Sequence, residues 1–224
     1  MKIGIIGAGH IGGTLTRRLS ALGHDVSVAN SRGPESLAAL AAETGAKAVT
    51  VREAAREKDL VIVTIPEKSV RDLPKGLFTD TDGTVIVDTG NYYPQRDGRI
   101  AAIEEGTPES QWVAQQIGRP VVKAFNTIYA QHLMERGRPA DVGGRIALPV
   151  AGDEPGKSAV LRLIDQLGFD GVDAGTLKDS WRQQPGTPVY GTDLDVPGVE
   201  RGLAAARRER PLEFRAAAPR PAEA

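Results

Sequence analysis

Short apolar segments alternate with amphipathic segments along most of the chain. The first, Lys2–Ile6, is rich in β-branched residues and predicts a strand. Over about His10–Leu22, apolar residues recur at helical spacing, and Gly23 is placed to end that helix. Asp25–Ala29 predicts a second strand. Alternation of this kind is typical of a parallel sheet covered by helices.

The same alternation continues to about residue 125. Leu60–Ile65 and Thr84–Asp88 are nearly continuous apolar runs, as in strands that are buried on both faces. Thr50 followed by Glu53 predicts a capping box at the start of a short helix. The strands predicted in this part are Lys2–Ile6, Asp25–Ala29, Ala48–Val51 (a strand or the end of one), Leu60–Ile65, Thr84–Asp88 and Pro120–Phe125. Six strands are enough for a complete doubly wound sheet.

A smaller α/β region is predicted after the sixth strand. Its predicted elements are, in chain order, Tyr129–Glu135 (helix), Ile146–Ala151 (strand), Pro155–Leu167 (helix) and Gly171–Ala174 (strand). Arg182–Gly191 contains two prolines and two glycines, which predicts an ordered loop or an arm that contacts a partner. Residues from Pro211 onward are rich in Ala, Pro and Arg and predict a disordered tail. We therefore expect a sheet domain over 1–125, a region for substrate binding or dimerisation over 126–210, and a tail over 211–224.

Composition and charge exclude several classes of function. A net charge of -1 gives no electrostatic basis for binding nucleic acid or an anionic membrane. The chain has no cysteine, and its three histidines are scattered, so neither thiol chemistry nor a metal site is expected. No segment approaches the roughly 20 apolar residues that span a bilayer. These features predict a soluble, cytoplasmic protein.

The strongest chemical signal is the glycine-rich turn after the first strand. Residues 7–12 read GAGHIG and fit the pattern G-x-G-x-x-G, between a predicted strand and a predicted helix. The first glycine permits the tight turn, the second lets a pyrophosphate approach the backbone, and the third lets the helix pack on the strand. The free N–H groups of the helix start attract phosphate. We therefore predict a Rossmann fold that binds a dinucleotide through Gly7, Gly9, His10, Ile11 and Gly12.

The end of the second strand indicates which dinucleotide is bound. An NAD site usually has Asp or Glu there to bind the ribose hydroxyls. This chain instead has Asn30, Ser31 and Arg32, with no carboxylate before Glu35. A hydroxyl and a guanidinium would bind the 2′-phosphate of NADP, with charge-assisted bonds worth about 1.5–3 kcal/mol each. The alternative is a solvated arginine at a loop tip. The pattern favours NADP(H).

Further cofactor contacts are expected where the other central strands end. Residues 64–66 (Thr-Ile-Pro) follow the fourth strand, residues 88–91 (Asp-Thr-Gly-Asn) the fifth, and residues 126–128 (Asn-Thr-Ile) the sixth. Each cluster is equally consistent with a purely structural turn.

The order of these motifs resembles a known family. The chain carries the phosphate loop, Asn30–Arg32, Thr64–Pro66, Val122–Thr127, Pro149–Asp153 and Val172–Gly175 in succession. In this respect it resembles the NADP oxidoreductases that use the 8-hydroxy-5-deazaflavin coenzyme F420. The same module is similar to the cytosolic domain of six-transmembrane ferric reductases. The resemblance extends over about Met1–Leu177.

The resemblance implies a site and a reaction. NADP would lie across the strand ends, with its 2′-phosphate on Ser31 and Arg32. The nicotinamide would lie near the fourth strand end and the loop after the sixth, which also lines the deazaflavin pocket; this adds Thr64, Ile65, Pro66, Asn126, Thr127 and Ala130 to the site. Family members pass a hydride between the nicotinamide and the deazaflavin and commonly form dimers, so a homodimer is expected. Trp181–Pro188 departs from the family pattern and leaves the second substrate open.

No side chain is assigned a catalytic role from the sequence. His132 is a candidate proton relay or an ordinary surface histidine, and Lys123 has Asn126 as its one evident partner, which favours a structural role. Four aromatic residues could stack on a cofactor or simply pack: Tyr92, Tyr93, Tyr129 and Trp181.

This absence of an acid–base pair fits one reaction better than its rivals. Hydride transfer between two flat cofactors requires mainly proximity and alignment. The sequence therefore predicts an NADP-dependent oxidoreductase with a small-molecule partner of the deazaflavin or flavin type. Two alternatives stay open: a reductase of a small carbonyl or imine, and a non-catalytic NADP(H) sensor. The first is disfavoured because the residues after Phe125 keep alternating between strand and helix rather than forming a long all-α domain.

Overall fold

A computed structural model describes residues 1–79 and 81–217. Its strands are β1 (Lys2–Ile6), β2 (Asp25–Ala29), β3 (Lys47–Ala48), β4 (Leu60–Val63), β5 (Val85–Asp88), β6 (Val122–Lys123), β7 (Ala147–Val150) and β8 (Asp170–Asp173). Its α-helices are α1 (His10–Ala21), α2 (Ala38–Thr44), α3 (Val51–Ala55), α4 (Pro94–Asp97), α5 (Ala101–Glu104), α6 (Glu109–Ile117), α7 (Ala130–Glu135), α8 (Gly156–Gln166) and α9 (Val196–Ala205). Over these residues, no helix combines the length and the apolar character needed to cross a membrane.

The first six strands form one parallel sheet in the order β3-β2-β1-β4-β5-β6. This is the doubly wound Rossmann order, and it confirms the predicted fold class. The strand ends are in register: Ile6 is opposite both Ala29 and Val63, Val63 is opposite Asp88, and Asp88 is opposite Lys123. The loops that follow these strands therefore leave the sheet at one edge, which is where ligands bind in folds of this kind.

The two faces of the sheet bury separate apolar clusters. Ile3 and Ile5 of β1 pack in one cluster with Leu15 of α1, whereas Ile6 lies in the other cluster with Trp112 of α6. All five side chains are almost completely buried. Because successive side chains of a strand point to opposite faces, the apolar runs of β1 and β4 can serve both clusters at once.

A second, two-stranded parallel sheet is formed by β7 and β8, with α8 between them in the chain. It meets the large sheet through one antiparallel bridge, in which the N–H of Lys123 donates to the Ala151 oxygen at 2.7 Å and the reverse bond is 3.0 Å. Val199 and Leu203 of α9 pack against this sheet. These elements form the small α/β extension that was predicted; the division of the chain into domains at residue 125 stays a prediction.

Two local predictions can be compared with the structure. The capping box is confirmed: the Thr50 hydroxyl accepts from the Glu53 N–H, and the Glu53 carboxylate accepts from the Thr50 N–H at 2.8 Å. The sixth strand is shorter than the predicted Pro120–Phe125. Phe125 has φ = +61°, outside the extended region, so the chain turns before the apolar run ends.

The disordered tail predicted from Pro211 onward is wrong for residues 211–217. Leu212–Phe214 forms a turn of 3₁₀ helix, and the Phe214 ring lies 6.3 Å from the ring of Tyr93, centroid to centroid. The Ala216 N–H also donates to Glu104 Oε1 at 2.8 Å. The composition of this segment favours disorder, but Phe214, its single aromatic residue, packs against aromatic side chains of the folded domain. The remainder of the predicted tail, 218–224, lies outside the described residues.

Candidate functional site

The three glycines of the phosphate loop differ in what surrounds them. Gly7 has φ = +109°, and a Cβ added there would lie 2.3 Å from the carbonyl oxygen of Thr64. A Cβ on Gly12 would lie 1.9 Å from the carbonyl oxygen of Gly7. Packing alone therefore requires glycine at these two positions. A Cβ on Gly9 would meet no described atom within 4 Å, so the space at Gly9 is open.

This open space lies at the start of α1. Gly9 is the N-cap residue, it has no side chain to cap the helix, and the first turn carries no acidic residue. The N–H groups of His10, Ile11 and Gly12 have no acceptor within the helix, as in the first turn of any α-helix. The partial positive charge of the helix start is thus available to an anion from outside the chain.

The loop after β2 is held in shape by Asn30. Its Oδ1 accepts from the Arg32 N–H at 2.9 Å, and its Nδ2 lies 2.9 Å from the hydroxyl of Ser36. That hydroxyl also donates to the Gly33 oxygen at 2.8 Å. Ser31 and Arg32 are exposed, and Arg32 forms no ion pair with any residue that the structure describes. Asn30 therefore shapes the loop, and Arg32 has a guanidinium to offer to a ligand.

A cleft of about 720 Å³ joins these two loops, between α1, α2 and α7. Cavities that bind small molecules commonly have volumes of roughly 300–1,000 Å³. The cleft brings together four of the residues predicted from the sequence, namely Gly9, His10, Arg32 and Ala130. It also contains residues that the sequence motifs did not reveal, among them Arg17, Ser36 and Glu43.

The residues after β4 lie directly beside the phosphate loop. The Thr64 N–H continues the ladder to the Ile6 oxygen at 2.8 Å, and the Ile65 side chain approaches Gly7. Thr64, Ile65 and Pro66 are half-buried, and Pro66 precedes a 3₁₀ turn over Glu67–Asp72. These three residues thus lie beside the phosphate loop, and their predicted contact with the nicotinamide stays a prediction.

The loop after β6 is tied to distant parts of the chain. Asn126 Nδ2 donates to Asn91 Oδ1 at 3.0 Å and to the Gln183 oxygen at 2.6 Å, while Gln183 Nε2 donates back to Asn126 Oδ1 at 2.9 Å. The Thr127 oxygen accepts from the Gly191 N–H at 2.9 Å. Asn126 and Thr127 are almost completely buried, so Asn126 fixes the loop, and its contact with a cofactor stays a prediction.

Backbone strain marks the same loop. Phe125 is buried and has φ = +61°, a conformation that side chains other than glycine adopt at a cost of about 1–3 kcal/mol. The bonds of Asn126 on one side and the β6 ladder on the other hold it there: the Ala124 N–H donates to the Asp88 oxygen at 3.2 Å. This loop is therefore fixed in shape at the sheet edge where a ligand is expected.

A group of buried charges lies behind the strand ends. Lys123 Nζ donates to Asp88 Oδ2 at 3.2 Å and to the Gly90 oxygen, and the Ser110 hydroxyl donates to the same Asp88 atom at 2.6 Å. The partner of Lys123 is thus Asp88, and the expectation that it would be Asn126 was wrong, because the parallel register sets Asp88 beside Lys123. Burial opposes the charge on Lys123, but the carboxylates around it outweigh that effect and its pKa is raised.

Glu67 is the most unusual member of this group. It is fully buried, and neither carboxylate oxygen has a hydrogen-bond partner among the described residues. Burial, and then the negative charge of Asp88, hold the pKa of Glu67 well above its ordinary value. The Glu67 carboxyl packs against Gly90, a residue at which a Cβ would lie 2.5 Å from Glu67 Oε2. No sequence motif pointed to it.

The side chain of His132 is hydrogen-bonded to a carboxylate. Its Nδ1 lies 2.9 Å from Asp193 Oδ1, and the same carboxylate accepts from Arg136 at 2.7 Å. The ring of Tyr129, which is largely exposed, meets His132 edge-on at 5.5 Å between centroids. The structure thus gives His132 the surroundings of a paired surface histidine.

The other aromatic candidates are mostly engaged in packing. Tyr92 is fully buried, and its hydroxyl donates to Glu104 Oε1 at 2.9 Å, with a pKa raised to about 12 chiefly by burial. The hydroxyl of Tyr93 meets that of Tyr190. Trp181 is half-buried, and two guanidinium groups lie 5.3 and 5.5 Å from the centre of its ring. Stacking of a cofactor on any of these rings stays a prediction.

The chain matches one protein family over its first part and is similar to solved structures over most of its length. Residues 2–92 match the family described as NADP oxidoreductase, coenzyme F420-dependent. A hypothetical protein from Sinorhizobium meliloti is 32% identical, with a TM-score of 0.72 over 87% of this chain and 94% of that one. A protein from Arthrobacter sp. FB24, to which F420-dependent NADP reductase activity is attributed, is 24% identical, with a TM-score of 0.63 over 79% of this chain and 86% of that one.

A curated relative is similar over a shorter stretch. The protein YjhV of Escherichia coli K12 is 39% identical over 71 residues, which are 31% of this chain and 52% of YjhV. The chain therefore spans about half the length of that relative.

Proposed function

Since the chain belongs to the family of coenzyme F420-dependent NADP oxidoreductases, we propose that it binds NADP(H) and transfers a hydride between the nicotinamide and a flat redox partner of the deazaflavin or flavin type. One observation carries the proposal. Gly9 has open space around it at the start of a helix, in a cleft that also contains Arg32. This is the arrangement that a pyrophosphate and a 2′-phosphate require.

Each part of the cleft has a separate role in holding the dinucleotide. The backbone of Gly9 and the N–H groups that follow it receive the pyrophosphate. Arg32 and the hydroxyl of Ser31 receive the 2′-phosphate, and Asn30 keeps that loop in shape through its bonds to the Arg32 N–H and to Ser36. A carboxylate at the end of β2 would repel this phosphate, and the chain has none there.

The nicotinamide end belongs at the ends of β4 and β6. Ile65 and Pro66 offer an apolar surface beside the phosphate loop, and the Asn126 loop, held by Asn91 and Gln183, forms the opposite boundary. Ile65 and Pro66 exclude water there, and the fixed Asn126 loop orients the ring. When it is bound, NADPH supplies the hydride.

The surroundings of the candidate proton donors support this reaction. Lys123 and Glu67 are fully buried behind the strand ends, and His132 is paired with Asp193. Reduction of a ketone requires a proton donor beside the hydride. Transfer between two flat rings requires chiefly that they be held face to face.

A panel of electron acceptors tests the reaction. NADPH consumption is measured with a deazaflavin, FMN, ferric chelates, small ketones and small imines, each repeated with NADH and with Gly9→Val protein. We expect turnover with the deazaflavin or flavin, dependent on NADPH and absent in the variant. Turnover confined to ketones or imines would show a carbonyl or imine reductase. Tight NADPH binding without turnover on any acceptor would instead indicate a sensor.

A further inference from the structure

A second cleft, of about 530 Å³, lies apart from the proposed cofactor site. Its walls are the chain around residues 103–107, the segment 181–187 and the segment 207–216. It shares no lining residue with the cleft at Gly9 and Arg32. The proposed function does not use it.

The walls of this cleft carry an excess of positive charge. Five arginines line it, against three glutamates: Arg99, Arg207, Arg208, Arg210 and Arg215, and Glu104, Glu105 and Glu209. Of the glutamates, Glu209 is paired with Arg215, and Glu104 accepts from Tyr92 and from the Ala216 N–H. Among the residues that the structure describes, Arg99, Arg207 and Arg208 have no acidic partner. The net charge of the whole chain is only -1, so the excess is local.

Two buried donors in the lining also lack acceptors. Gln184 is 8% exposed, and its Nε2 has no hydrogen-bond partner among the described residues. Arg210 binds Glu109 through Nη2 at 2.6 Å, and its other terminal nitrogen, Nη1, is buried without a partner. Buried donors are nearly always satisfied in folded proteins, by protein groups, ordered water or a ligand, so these two donors have hydrogen-bonding capacity that the described residues do not use.

An aromatic ring completes the lining. The guanidinium of Arg208 lies 5.3 Å from the centre of the Trp181 ring, and that of Arg182 lies 5.5 Å from it. Stacking on the ring restrains the Arg208 side chain while it leaves its N–H groups available to a ligand.

We propose that this cleft binds a small polyanion, a molecule with two or more phosphate or carboxylate groups. Guanidinium groups bind such oxygens in pairs of parallel hydrogen bonds. Arg207 and Arg208 supply the unpaired charge, and Gln184 and Arg210 supply the buried donors. The volume suits a compact ligand rather than a polymer.

Titration with inorganic pyrophosphate and with citrate tests this site. Binding is followed by tryptophan fluorescence and by calorimetry at a fixed 150 mM ionic strength. The protein is Gly9→Val, so that the phosphate loop does not bind the probe, and wild type saturated with NADP⁺ is measured in parallel. The Trp181→Phe variant shows whether the fluorescence change comes from Trp181, because the other tryptophan, Trp112, is buried in the core.

The expected result is saturable binding of one or both probes at one site per chain. The Arg207→Gln/Arg208→Gln double variant should weaken it at least tenfold. Arg201→Gln, an exposed arginine on α9 outside the lining, is the matched control and should leave the affinity unchanged. Absence of saturable binding, equal losses in the control and the double variant, or full retention in the double variant would each overturn the proposal. Failure of the wild type to bind NADP⁺, with retention of this site, would count against the proposed function alone.

Discussion

Replacing Gly9 and Gly12 in turn should separate cofactor binding from folding. Gly9→Val should abolish binding of NADP(H) and leave the protein folded, whereas Gly12→Ala should destabilise the fold. The two residues lie in the same loop, but a Cβ on Gly9 meets no described atom within 4 Å, while a Cβ on Gly12 lies 1.9 Å from the Gly7 oxygen and 2.7 Å from Thr64 Cγ2.

The magnitudes follow from these surroundings. Gly9 has φ = -74° and ψ = -160°, which any residue adopts, so Gly9→Val should change the free energy of unfolding by no more than about 1 kcal/mol. A side chain in pyrophosphate space should weaken NADP binding at least a hundredfold, or about 2.7 kcal/mol. Overpacking at Gly12 should cost about 1–3 kcal/mol. At about 2–4 °C per kcal/mol for a chain of this size, that loss is measurable as a lower Tm.

Calorimetric titration with NADP⁺ and thermal unfolding of both variants provide the measurements, with Gly45→Ala as a control glycine. A Cβ on Gly45 also meets no described atom within 4 Å, but Gly45 has φ = +73° and lies at the end of α2. The Gly45→Ala variant should lose some stability and keep its affinity for NADP⁺. Normal NADP⁺ binding by Gly9→Val would refute the reasoning, since the open space would then have no ligand.

Three further predictions concern stability. Burial raises the pKa of Glu67 above its unfolded value near 4.5, so the stability that its neutral form contributes is present below that pH and is lost as pH rises towards the folded pKa. Relative to Glu67→Gln, the wild-type free energy of unfolding should fall by about 1.4 kcal/mol per pH unit in urea titrations from pH 5 upward; a constant difference would contradict this. Lys123→Met should lower the free energy of unfolding by about 3–5 kcal/mol because it leaves Asp88 unpaired. The double variant Lys123→Met/Asp88→Asn should recover part of that loss. Additive losses in denaturant titrations would argue against an interaction between the two residues. Thr50→Ala should lower the free energy of unfolding by about 1 kcal/mol because it removes the capping box, whereas Thr50→Ser should lower it little. Equal melting temperatures for the two variants would show that the cap does not contribute.

The parts of the fold that local patterns encode were predictable from the sequence. β1, β2 and the helix between them follow from periodicity, and the glycine loop follows from the backbone geometry that a pyrophosphate requires. The start of α3 was predictable because both partners of its cap lie within four residues of sequence, at Thr50 and Glu53.

Features that depend on distant partners were not predictable in this way. Asn126 is bound to Gln183, 57 residues later, and Lys123 is paired with Asp88, 35 residues earlier. The left-handed backbone of Phe125 has no signature in an apolar run, and Glu67 gives no sign in the sequence that it is completely buried. Each of these depends on which strands become neighbours in the sheet, which a local pattern does not specify.

The preference between NADPH and NADH tests the proposed cofactor site most directly. Affinities for both are measured by titration for the wild type, for Arg32→Ala and for Arg52→Ala, an exposed arginine on α3 that serves as the control. The wild type should bind NADPH more tightly than NADH by about one to two orders of magnitude, equivalent to about 1.4–2.7 kcal/mol. Arg32→Ala should lose that preference and keep its affinity for NADH, and Arg52→Ala should match the wild type. Equal affinities in the wild type, or an unchanged ratio in Arg32→Ala, would contradict the assignment of the 2′-phosphate to this loop.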